Sequence, residues 1–125
     1  MRGPHELVPP GWPADVLPPQ VADWERSAVA WLFDQCPPDY RAHEVLRKHP
    51  VVLSRFAGDH VAAAVQAARD GLRTVRAELS GLVPPDVVDA AIAAYDREGR
   101  RLVTTGKQVE MVAAALRGER WVPRL

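Results

Sequence analysis

Two apolar stripes between Pro50 and Gly118, each advancing in alternating steps of four and three, constrain this chain more than any other feature. The first is Val61, Val65, Ala68, Leu72, Val75, Leu79 and Leu82. The second is Val88, Ile92, Tyr95, Leu102, Val109, Ala113 and Leu116, with Gly99 and Gly106 in the same register. A mean spacing near 3.5 residues keeps one line of side chains facing a partner helix, so each stripe reads as a heptad seam. Between them, Ser80-Gly81-Leu82-Val83-Pro84-Pro85-Asp86 supplies a glycine to stop one helix and a proline to start the next. The predicted fold class is all-α: a long antiparallel helical hairpin over about 50–81 and 85–118, in a three- to four-helix bundle with one or two shorter N-terminal helices.

Laying the halves antiparallel makes the expectation specific. Core partners have numbers of constant sum, pairing Leu79 with Val88, Val75 with Ile92, Leu72 with Tyr95, Ala68 with Gly99, and Val65 with Leu102. On one flank the same geometry sets Arg76 against Asp89, Arg69 against Asp96, Ala62 against Val103, and Arg55 against Glu110. Exposed ion pairs contribute only about 0–1 kcal/mol each, so their role is to fix register and direction. The other flank holds Ala57, Ala64, Gly71 and Glu78 facing Ala91, Glu98, Thr105 and Val112, a shallow groove that asks for a filler. The helix carrying Trp24 and Trp31 is the expected filler, since a buried indole removes much apolar area from water.

Upstream, Pro4, Pro9, Pro10, Pro13, Pro18 and Pro19 forbid a helix or a central strand, so residues 1–20 are expected to form an extended, proline-rich arm. Residues 21–125 are expected to form a single helical bundle domain. Trp12, between Gly11 and Pro13, either tucks into the bundle and pins the arm or offers the arm to a partner's groove. Asp23 is placed as the N-cap of a helix from Trp24 to about Gln35, which Pro37 and Pro38 end. Its apolar arc, with Val29, Leu32, Phe33 and Cys36 beside the tryptophans, is broad enough for contacts on two sides. A short helix from Asp39 to His49 follows, and Gly58-Asp59 marks a place for a kink or break in the first long helix.

With 125 residues the chain is long enough to bury a core without staples. Its one cysteine, Cys36, permits no internal disulfide, and no basic segment followed by an apolar run suggests export, so a reducing cytoplasm is the expected location. No apolar stretch approaches the roughly 18 residues of a membrane span, so no membrane is expected. A net charge of zero removes the bulk attraction for nucleic acid, which is not the expected partner.

Chemistry-bearing patterns fare poorly. His43-Glu44 and His49 do not have the four-residue spacing that brings two histidines to one zinc, and Gly99 to Lys107 fails the spacing of a phosphate loop and has Gln108 where Ser or Thr would bind magnesium. Cys36 with His43 or His49 is the only nucleophile-base set in reach, and two prolines beside the thiol suit a helix end. Neither a cofactor nor a metal site is expected. Arg69, Arg73, Arg76, Arg97, Arg100 and Arg101 form the one cationic cluster that can bind an anion, but Asp70, Asp89, Asp96 and Glu98 lie among them and favour a solvated, salt-bridged face.

The segment Asp23-Trp24-Glu25-Arg26-Ser27-Ala28-Val29-Ala30-Trp31-Leu32, with Cys36-Pro37-Pro38-Asp39-Tyr40-Arg41 and the C-terminal Arg117-Gly118-Glu119-Arg120-Trp121-Val122-Pro123-Arg124-Leu125, resembles a family of small uncharacterised helical proteins of actinobacteria. The resemblance implies no activity and no site residues. The expected function is protein-protein interaction or assembly without catalysis. The partner is another protein or, most simply, a second copy in a homodimer, and Trp12, Trp24, Trp31, Phe33 and Trp121 are the contact residues. Alternatives are a nucleic-acid or phosphate-ligand binder using the central arginines, and a small all-helical enzyme with a pocket lined by His43, His49 and Arg55.

Overall fold

The computed structural model describes residues 8–124. Pro4 of the arm and the C-terminal Leu125 therefore lie outside the described residues. Four α-helices are present: α1 over Trp24–Asp34, α2 over Glu44–Lys48, α3 over Pro50–Leu79 and α4 over Pro85–Leu116, with a 3-10 turn at Pro38–Ala42 before α2. The described residues form no β-strand, only an isolated bridge between Ser80 and Val83.

α3 and α4 are the expected hairpin. Each begins on a proline at its first turn, where the missing N–H would have no helical partner and the fixed φ is already helical. Gly81, at φ 81°, follows the end of α3, and Gly118, at φ 86°, follows the end of α4. There the Gly118 and Glu119 amides donate back to Ala115 and Ala114, each at 3.0 Å, and so satisfy carbonyls the helix leaves open. α3 runs unbroken through Gly58-Asp59. Glycine in a helix costs about 1 kcal/mol relative to alanine, and burial of Leu53, Ala57 and Val61 around it outweighs that cost.

The register is the expected one. A Cβ built on Gly99 lies 3.7 Å from the Cβ of Ala68, one on Gly106 lies 3.6 Å from Val61 Cγ1, and one on Gly58 lies 3.8 Å from Val109 Cγ1. These are ordinary contacts. Gly71 differs, because a Cβ there would stand 2.3 Å from the Tyr95 ring. Gly106→Ala should therefore stabilise the protein by about 0.5–1 kcal/mol through backbone entropy. Gly71→Ala should instead cost about 1–3 kcal/mol as the ring is displaced. Urea unfolding of the two variants checks this, and equal effects would contradict the placement of Tyr95.

By compactness the chain divides into two units. One unit holds the residues up to His60 together with those from Lys107 onward, and the other is Val61–Gly106. The core of the first unit draws Ala28, Leu32 and Phe33 from α1, Leu46 from α2, Leu53 and Ala57 from α3, and Val109, Val112 and Ala113 from α4. The proline-rich segment belongs to this unit. Its described residues, 8–20, are non-helical, as their composition requires, but their path is broken by turns in which Trp12, Val16, Val21 and Trp24 donate back three residues to Pro9, Pro13, Pro18 and Val21. Trp12 tucks inward: its Nε1 donates to the Val16 carbonyl at 2.8 Å, while Gln108 donates to the Gly11 carbonyl at 3.2 Å. The Leu17 amide donates to Ser27 Oγ at 2.9 Å and ties the segment to α1.

Three local expectations change. Asp23 stands at the start of α1 in a left-handed conformation, φ 66°, and its side chain caps nothing. The stretch from Asp39 to His49 is a 3-10 turn and a separate α2, because His43 is extended at φ −84°, ψ 113°. The flank expected to form a filled groove is unevenly buried. Ala57 and Val112 are fully buried in the unit that contains α1, whereas Glu78 and Glu98 are exposed.

Candidate functional site

The second unit consists of two helix segments and their turn. Two helices bury a single line of side chains between them: Val61, Ala68, Val75 and Val88 are buried. The next apolar positions remain open to solvent, with Leu72 38%, Tyr95 39% and Val103 36% exposed. Together with Val65, Ala68 and Gly99 they line a groove of about 300 Å³ whose rim carries Arg69, Asp96 and Arg100. The groove is apolar along its floor because the heptad places valine and leucine there, and it is concave because Ala68 meets Gly99 at its waist.

Electrostatics at the rim depart from the expected pattern. Arg76 does reach Asp89 across the hairpin, at 3.4 Å. Arg69 and Asp96 line the same groove without pairing, since Asp96 Oδ2 turns to Arg100 Nε, one turn along its own helix, at 3.2 Å. Glu110 likewise pairs with Arg117, at 3.2 Å, and not with Arg55. Exposed charges settle on the nearest partner, and i,i+3 or i,i+4 neighbours lose less side-chain freedom than partners on another helix.

The six arginines nominated for anion binding are mostly neutralised. Arg73 pairs with Asp70 at 2.9 Å, Arg76 and Arg100 are engaged as above, and Arg101 grips Glu98 through two hydrogen bonds. That grip holds the Glu98 carboxyl below its ordinary range and pushes the Arg101 guanidinium further up. Arg69 and Arg97 have no carboxylate partner among the described residues.

Of the residues nominated for partner contact, Phe33 is 6% exposed, with the Arg41 guanidinium over its ring at 5.4 Å, so its surface is spent within its own chain. Trp12, Trp24 and Trp31 are half-buried, and Trp121 is exposed. None of them lines the groove. Leu72, Tyr95 and Val65 were expected in the seam, and of these Leu72 and Tyr95 are exposed while Val65 is half-buried.

His43, His49 and Arg55 are each exposed, and none lines the groove. The His43 ring stands edge-on to Tyr40, which also meets Phe56 and His60 edge-on at 6.1 and 6.0 Å. Cys36 is buried, with its Sγ donating to the Leu32 carbonyl at 3.3 Å, and desolvation by burial pushes the thiol's pKa up. A nucleophilic thiolate needs the opposite shift. Among the described residues no three His, Cys, Asp or Glu side chains are placed to hold a metal ion, and no helix is long and apolar enough to cross a membrane.

Comparison with protein-family models, with curated proteins and with solved structures finds no match to this chain.

Proposed function

We propose that this protein is a non-catalytic interaction or assembly module whose hairpin face takes a helical protein partner. The observation that carries the reading is the open groove between α3 and α4. Leu72, Tyr95 and Val103 stand more than a third exposed beside an apolar floor, where water contact is costly and a third helix would remove it. Heptad spacing on both helices suits knobs-into-holes contact with further helices. Leu82, 76% exposed at the turn, and Trp121 add apolar surface for contact at the ends of the long helices. A reducing compartment fits the free, buried Cys36.

Photo-crosslinking tests the reading directly. Benzoylphenylalanine placed at Leu72 or Val103 in the native cell should yield a protein adduct, while the same group at exposed, outward Ala77 or Ala94 should yield none. Equal labelling at all four positions, or none at Leu72 and Val103, would remove the groove as an interaction surface.

A further inference from the structure

We infer that the helical partner of the groove is a second copy of this chain, docked face to face about a two-fold axis parallel to the hairpin, with Arg69 of each copy meeting Asp96 of the other. The inference rests on the groove being an interaction surface and adds the identity and register of its occupant. Such an axis lays α3 of one copy along α4 of the other and keeps every residue at its own height. All neighbouring helices are then antiparallel, as in an up-down four-helix bundle.

Heights within one chain are fixed by the contacts of Gly99 with Ala68 and of Gly106 with Val61. Leu72 is thus level with Tyr95, and Val65 with the step from Leu102 to Val103. The two-fold sets Leu72 against Tyr95 of the second copy and Val65 against Val103 of the second copy, apolar on apolar at both ends of the groove. Arg69 lies three residues before Leu72 and Asp96 one after Tyr95, an axial offset of about 3 Å at 1.5 Å per residue. An arginine side chain spans that easily.

The charges favour a second copy over a foreign helix. Arg69 lines the groove with no carboxylate partner among the described residues, and Asp96, beside it on the rim, meets Arg100 of its own helix at Oδ2. A rim that carries both signs, Arg69 and Arg100 with Asp96, can meet its own copy charge to charge, Asp96 exchanging an exposed pair on its own helix for Arg69 of the second copy. A uniformly acidic helix would satisfy Arg69 and drive its carboxylates against Asp96.

The test is complementation in trans, read by light scattering with circular dichroism as the check on folding. Wild type should reach twice the chain mass. Arg69→Glu, at an exposed rim position, and Asp96→Arg, at a half-buried one, should each keep their helicity and raise the dimer dissociation constant about tenfold or more, because like charges then face each other at two symmetric sites. An equimolar mixture of the two variants should recover the dimer, since the heterodimer restores an opposite-charge pair at both sites. A pair made within one chain is not repaired by mixing, so variants that stay monomeric when mixed overturn the register. A strictly monomeric wild type overturns the inference. If benzoylphenylalanine at Leu72 still captures a protein of another mass, the groove reading survives that failure. If it captures nothing, both fall.

Discussion

Leu53→Ala should lower the unfolding free energy by about 2–5 kcal/mol, read as a fall in the urea midpoint at constant slope. Leu53 is 0% exposed and belongs to the core that α1, α2 and the paired ends of α3 and α4 build together. Truncating it removes the transfer free energy of the side chain and leaves a cavity that close-packed neighbours fill only in part. Domains of this size are stable by about 5–15 kcal/mol, so the loss is a large share of the total. Leu82→Ala is the matched control. Leu82 is 76% exposed in the turn after α3, and its truncation should change stability by no more than about 0.5 kcal/mol. Similar losses in the two variants would place Leu53 outside any core.

Much of the hairpin was legible before any coordinates. Burial enforces the heptad: a residue one step out of phase on α3 or α4 would leave the seam, so the stripe, its turn and its antiparallel register are written in residue order. Glycines at Gly99 and Gly106 fell into that register because they sit opposite Ala68 and Val61 at close approach.

Other features leave weaker traces. Asp96 and Asp70 are half-exposed and Glu98 is exposed, and each chose an arginine on its own helix, a choice decided by side-chain entropy and not by the seam. Gln20 and Asp23 adopt positive φ, at 75° and 66°, although neither residue type demands it. The division of the chain at His60 and Lys107 is silent in composition, because the same heptad runs through both units. The candidate site was hidden for that reason. A leucine at a seam position reads as core whether or not a third helix covers it.

Ala68→Cys with Gly99→Cys, made in a Cys36→Ser background, should form an intramolecular disulfide and raise stability by about 3–4 kcal/mol, the range for closing a loop of roughly thirty residues. The two Cβ positions are 3.7 Å apart, inside the window of about 3.5–4.5 Å that a disulfide requires. Moving one cysteine a single helical turn, to Ala64, puts the pair about 6 Å out of level and outside that window. The decisive measurement is the rate of intramolecular disulfide formation in the folded protein under mild oxidation, followed as the monomer band on a non-reducing gel. The antiparallel seam predicts rapid, complete closure of the 68–99 pair and slow closure of the 64–99 pair. Equal rates, or a 68–99 pair that stays reduced, would contradict it.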